Sequence, residues 1–360
     1  MWLKITRGLT LNMDGILWDD ALRTRMNLPD SIYFCTMHQL VSNGIVQAET
    51  KLLMDHLKTL GYPWEKLATF ASSGWSVASS IGTPTRVRDY FSDARKLHYQ
   101  RNHVFNPPAS EMLLIMQVVL CFAQQVVAKE LGRRAVGNAL ESYELLRDLV
   151  IAVKSAKTNA DAHISRLKTL PSLHLAKFVQ AYGTDRCKPK HHFAQHIYQQ
   201  YLHLGCLVDG FVGERKNCEF KNICTMIEYT KSFEKSVLFR AIAAQELRCE
   251  TPQFFNELKG TVKDLSLGVR VAKCARLFGV VYKCGDCIRV GHSLVLVSGF
   301  MSVEAGGFSV MGNIFELARA ASQHSDLFVK VQSNACVRLS HATPCELWQV
   351  LDENRILALK

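Results

Sequence analysis

The segment KPKHHFAQH (188–196) sets two lysines around a proline and follows them with three histidines. Imidazole holds metals and moves protons, while fixed positive charge holds phosphate. Three roles are open for it: a metal site, a phosphate-binding edge, or a structural turn. A helix opening near Lys190 would put His192 and His196 one turn apart, with His203 two turns further along. Such an i, i+4 pair can chelate zinc, and Cys187 offers a third ligand. The zinc-protease pattern requires Glu directly after the first His, however, and Phe193 stands there. No fourth ligand is evident, so no metal is assigned. A helix N-terminus flanked by Lys188 and Lys190 is also competent to contact phosphate.

Other constellations are smaller. Cys35-Thr-Met-His38 places a thiol and an imidazole on one helical face. That suits a shared metal, a packed turn, or a hydrogen bond, and its plainest reading is a half-buried thiol beside a satisfied histidine. In GFVGERKNCEFKNI (210–223), Glu214 is followed by Arg215 and Lys216. Neighbouring cations keep a carboxylate ionised, as a divalent-metal ligand must be, although the same triplet commonly lies on a helix surface. Cys284-Gly-Asp-Cys287 resembles half of a zinc knuckle. The chain has no second Cys-x-x-Cys, and Gly-Asp between Val-rich runs predicts a hairpin turn served by Asp286. Residues 86–103 offer Arg86, Arg88, Arg95, Lys96 and Arg101 among Tyr90, Phe91 and Tyr99. Cations interleaved with aromatics fit a nucleic-acid face, and equally an amphipathic helix with a solvated basic side.

The elements that must position these residues change character along the chain. Residues 35–61 and 137–170 carry apolar positions at helical spacing, and 109–131 opens after a proline pair with Ser110 as a plausible cap. The most apolar stretch, 112–128, contains three glutamines and reads as a buried core helix rather than a membrane span. From about 261 onward, short alternating runs rich in Val, Phe and Gly predict β-hairpins. The expected class is α+β: a predominantly helical body over 1–250 and a small β-rich C-terminal domain over 261–360, joined within 244–260.

Composition narrows the function. The chain has 360 residues, 48% of them hydrophobic and 21% charged, enough to bury a sizeable core. Lys and Arg outnumber Asp and Glu by 43 to 32, a net +11 that favours polyanionic partners, nucleic acid first. The 12 cysteines are scattered rather than set in a dense frame, and no secretory leader is visible. Both features point to reduced thiols inside a cell, in nucleus or cytoplasm.

The order of the motifs resembles that of CACTA-type (En/Spm) cut-and-paste transposases and related transposase-like proteins. The resemblance is strongest over about 30–60 and 170–225. In that family a Cys/Asp-x-x-His motif introduces a helix, a helical insertion follows, and a KPKHH…H stretch leads to a helix bearing the last acid of an Asp-Asp-Glu triad. By resemblance, Cys35 and His38 match the first motif, His191, His192 and His196 match the histidine run, and Glu214 matches the terminal acid. The implied fold is the remnant of an RNase H-like core with a helical insertion, in which three acids would hold two divalent metals against a phosphodiester. Several positions depart from the pattern. Cys35 stands where many relatives have Asp, and a thiol is a poor ligand for Mg²⁺. Asn217 replaces a frequent His. Asp14 lies only 21 residues before Cys35, too few for a βββαβ half-sheet, so Asp14, Asp19 and Asp20 read as leader-loop acids.

The resemblance therefore implies the shortened C-terminal half of a transposase with at most one triad acid. The expected function is a transposase-derived protein without strand transfer that retains DNA binding and needs no cofactor, Mg²⁺ entering only if it is active. Its phosphate contacts are expected from the basic helix together with Lys188, Lys190, Arg215 and Lys216. Two alternatives stand beside it. One is a helical scaffold whose 261–360 segment binds a protein partner. The other is an active metal-dependent nuclease drawing on Glu214, Asp209 and one of Asp14, Asp19 or Asp20. No membrane partner is expected. In the first picture His192 and His196 point into the core, while Lys188 and Lys190 face solvent or phosphate.

Overall fold

A computed structural model describes residues 34–78, 87–102, 105, 107–156, 163–207, 220–227, 232–250, 257–266, 268–277, 280–303, 307–322, 325–339, 343–345 and 347–359. The protein is α+β, with a helical N-terminal body and an antiparallel C-terminal sheet. It packs as two units, Met1–Leu67 with Ala94–Asn217, and Ala68–Asp93 with Cys218–Lys360. The sheet unit thus includes an early segment as well as the C-terminal one.

In the helical unit, α1 (Thr36–Leu40) and α2 (Ile45–Thr59) are joined at Gly44. A Cβ on Gly44 would lie 2.3 Å from the carbonyl carbon of Leu40, so only glycine lets the second helix start so close to the first. The inward stripe of α2 runs Ile45, Val46, Glu49, Thr50, Leu53, Met54, Leu57. That is helical periodicity with Glu49 and Thr50 set in the apolar stripe, and Gln47 is buried beside it. Next come α3 (Trp64–Ala71), which crosses the boundary between the units, and, beyond the short strand β1 (Trp75–Val77) of the other unit, α4 (Asp93–Asn102).

Helix α5 (Ala109–Phe122) passes through a π-helical turn at Ala123–Val127 into α6 (Ala128–Leu131). Among the described residues Ala109–Leu131 is the one helical stretch long and apolar enough to cross a membrane, and 67% of its most apolar window is buried in the protein. Met112, Ile115, Val118 and Val119 are fully enclosed, each contributing about 1.5–3 kcal/mol of burial, so α5 is a core helix. It is followed by α7 (Arg133–Ala156) and α8 (Ile164–Tyr182), which pack on one another, and then by α9 (Pro189–Ala194) and α10 (Ile197–Leu204).

The sheet unit contains α11 (Phe233–Glu250) and strands β2 (Glu257–Ser266), β3 (Val269–Leu277), β4 (Val280–Lys283), β5 (Cys287–Val290), β6 (Ser293–Val303), β7 (Gly307–Ser322), β8 (Ser325–Arg338), β9 (Thr343–Pro344), β10 (Leu347–Asp352) and β11 (Arg355–Leu359). Their main order is β1-β10-β11-β8-β7-β6-β3-β2, with β4 on β3 and with β5 bridging β6 and β9. One core patch gathers Tyr282, Ile288, Val295, Phe300 and Val310. Another gathers Ala78, Cys287, Phe315, Phe328, Trp348 and Ile356, bringing the early segment into the sheet's interior. The Cys284–Cys287 stretch is a turn, but not the expected hairpin, because β4 pairs with β3 while β5 pairs with β6 and β9. Gly285 has φ +90°, and the Asp286 carboxylate accepts the backbone N–H of Lys283 at 2.7 Å. Its two thiols part company, Cys284 donating to Ser298 O at 2.9 Å while Cys287 is buried.

Candidate functional site

The first turn of α9 is set by its sequence. Pro189 opens the helix, where a missing N–H costs nothing and φ is already helical. His191 then reaches back, its Nδ1 accepting the Lys188 backbone N–H at 3.0 Å. An accepting Nδ1 puts the hydrogen of the neutral ring on Nε2. This ring is buried, 4.3 Å from Phe178 and nearly parallel to His174 at 6.0 Å between centroids. Burial, helped by the nearby His174, lowers the pKa of His191 to about 4.

Beyond it lies a run of polar groups inside the helical core. His174 Nε2 meets Glu49 Oε2 at 2.6 Å, with both side chains buried. Tyr143 and Thr50 share a hydrogen bond of 2.5 Å. Burial pushes the Tyr143 and Tyr182 hydroxyls well above their ordinary range. Among the described residues, Glu49 Oε1, His191 Nε2 and the Tyr182 hydroxyl have no hydrogen-bond partner. Helices α2, α7, α8 and α9 thus converge on an enclosed carboxylate–imidazole pair. Enclosure suits it to fixing helix register rather than to meeting a substrate.

The outer side of α9 joins the two motif segments. Lys190 Nζ donates to His38 O at 2.6 Å and Asn43 O at 2.8 Å, a cation on the carbonyl end of α1 across 152 positions of chain. Burial, then the charge of Lys188, lowers the pKa of Lys190. Phe34 stacks on Phe193 at 4.6 Å and 16°. Gln200 pairs with the Phe34 backbone through Phe34 N–H to Oε1 at 2.7 Å and Nε2–H to Phe34 O at 3.0 Å. Cys35 precedes α1, and its Sγ lies 3.1 Å from His38 Nδ1. The structure therefore brings Cys35, His38, Lys190 and the three histidines of 191–196 into one neighbourhood of paired helices. Replacing Lys190 with Met keeps the stem and deletes both carbonyl contacts. A loss of about 1.5 kcal/mol is expected in urea unfolding, with the helical circular dichroism unchanged.

Orientation differs from the sequence expectation. His191 is the histidine that faces the core, whereas His192 is exposed and His196 half-exposed. Helix α9 begins at Pro189 and ends at Ala194, so the expected continuous turn from Lys190 to His196 is interrupted before Ile197. Lys190 faces main-chain carbonyls instead of solvent, and Lys188 is exposed. Cys187 is exposed as well.

Helix α4 and the short 3-10 turn before it carry cations that already face carboxylates. Arg95 meets Glu111 at 2.6 Å, Arg88 meets Asp89 at 3.7 Å, and Lys96 bonds Glu65. Arg101 is exposed at the far end. A phosphate at Arg88, Arg95 or Lys96 would have to replace an ion pair. For the solvated Arg88 and Lys96 pairs that exchange costs on the order of 1 kcal/mol or less each, whereas displacing Arg95 would strand the buried Glu111 carboxylate and costs more. Beside α4 is a cavity of about 150 Å³ lined by Tyr62, Trp64, Tyr99, Lys58 and Lys96 among others. The Trp64 and Tyr99 rings stack at 6.0 Å, and Tyr99 is held by its hydroxyl on Asp55 at 2.5 Å. Arg86, Asp209, Glu214, Arg215, Lys216, Asp14, Asp19 and Asp20 lie outside the described residues.

Sequence reasoning missed Glu49 and His174. The available signal was Glu49 itself, a carboxylate four residues after Ile45 and four before Leu53 on the apolar stripe of α2. No family model, curated protein or solved structure matches the chain.

Proposed function

We propose that the chain is a transposase-derived, intracellular nucleic-acid-binding protein that lacks strand-transfer chemistry. One observation carries this reading. The two stretches that resemble the transposase pattern, about 30–60 and 170–225, are joined by the Lys190 contacts and by the Gln200–Phe34 pair. The net +11 supplies attraction for a phosphate backbone, and the aromatic cavity beside α4 supplies faces on which a base can stack. Cys35 in place of an acid deprives the first motif of an oxygen ligand, so no Mg²⁺ is assigned. The test is a salt titration of labelled DNA bound to the full chain. With six or more phosphates contacted, affinity falls by about 10³-fold between roughly 50 and 200 mM salt. Absence of binding at the low end, or affinity indifferent to salt, rejects the reading.

A second reading, a protein partner on 261–360, draws on β2. This strand ends the main strand order, and Val262 and Leu265 are exposed on it. Strand addition there would slow amide exchange along β2 when the partner is present.

A further inference from the structure

His192 and His196 hold their Nε2 atoms 3.2 Å apart. Two imidazole nitrogens bound to one tetrahedral zinc ion at ordinary bond lengths lie about 3.4 Å apart, so the observed separation is close to the bite of a single metal. A second feature points the same way. His196 Nδ1 lies 2.6 Å from Gln199 Oε1, an oxygen that only accepts, so Nδ1 carries the hydrogen. In the neutral ring the Nε2 lone pair is then turned toward His192. Metal-ligating histidines are commonly fixed in this way by a carbonyl on the other nitrogen. The third feature is access: His192 is exposed and His196 half-exposed, so an ion arrives without unfolding.

We propose that His192 and His196 form a two-imidazole clamp for a transition-metal dication of the zinc and copper class. In the free protein one proton lies between the two Nε2 atoms, on His192. On binding, His192 moves that hydrogen to Nδ1, and both lone pairs meet the ion with no net change in protons. Desolvation, then the neighbouring His196, lowers the pKa of His192. Among the described residues no group of three His, Cys, Asp or Glu side chains is gathered for a metal. The remaining coordination positions therefore belong to water or to an oxygen of a bound molecule. Copper(II) binds more tightly than zinc, as nitrogen donors dictate.

The test uses the full chain stripped with chelator and titrated with copper(II) alone, read by electron paramagnetic resonance and calorimetry. The expected result is a site showing two-nitrogen coupling. His192→Gln and His196→Gln each remove it, Gln199→Leu weakens it roughly tenfold, and His292→Gln leaves it unchanged. Copper binding by His192→Gln and His196→Gln equal to that of the parent overturns the proposal. A second measurement on the unaltered chain covers any variant that fails to fold. Zinc should shield His192 and His196 from diethylpyrocarbonate, and equal modification with and without zinc overturns the proposal too.

Discussion

Replacing His174 with Phe lowers unfolding stability by about 3–5 kcal/mol, because it strands the buried Glu49 carboxylate without its imidazole. The single change Glu49→Leu costs a similar amount by stranding His174. The double variant Glu49→Leu with His174→Phe recovers most of the loss, since an apolar pair of comparable volume removes both desolvation penalties at once. Urea unfolding of the four proteins closes the cycle. The expected result is a coupling of at least about 2 kcal/mol. Simple addition of the two single losses would show that the 2.6 Å contact contributes nothing as a pair.

The second large effect is acid sensitivity at His191. Its pKa falls from the ordinary 6.5 to about 4 in the folded protein, because burial opposes the charged ring. The folded state therefore resists a proton that the unfolded chain accepts. The contribution is fully present above pH 6.5 and is lost as pH falls toward 4. Each tenfold weakening of proton affinity on folding corresponds to about 1.4 kcal/mol, so the whole loss is about 3 kcal/mol. Gln at position 191 can still accept the Lys188 N–H but does not titrate. The urea midpoint of His191→Gln should fall less steeply than the parent's between those pH values. Identical slopes would place the acid sensitivity on other groups.

Much of the fold was readable because periodicity was strong. The α2 stripe from Ile45 to Leu57, the enclosed α5 and the turn at Cys284–Cys287 each follow from local patterns. What could not be read depends on long-range pairing. The Ser-, Gly- and Thr-rich stretch 72–85 carries no strand pattern of its own, yet Trp75–Val77 forms β1, because Trp75 registers with Gln349 and Val77 with Leu347. A strand of three residues carries no usable alternation, and only its distant partner defines it. The candidate site was legible as two motifs, but which histidine turns inward was not. Starting α9 at Pro189 and breaking it after Ala194 sets that choice, and His191 becomes both cap acceptor and core residue. Glu49 and His174, 125 positions apart, were hidden for the same reason.

A nucleic-acid-binding frame without cutting chemistry can be tested most directly in one gel. Supercoiled plasmid is incubated with the full chain and Mn²⁺ or Mg²⁺, and both mobility and nicking are followed. The expected result is a retarded but intact supercoiled band, with retardation relieved by salt. Metal-dependent nicking that disappears in Glu214→Gln would contradict it.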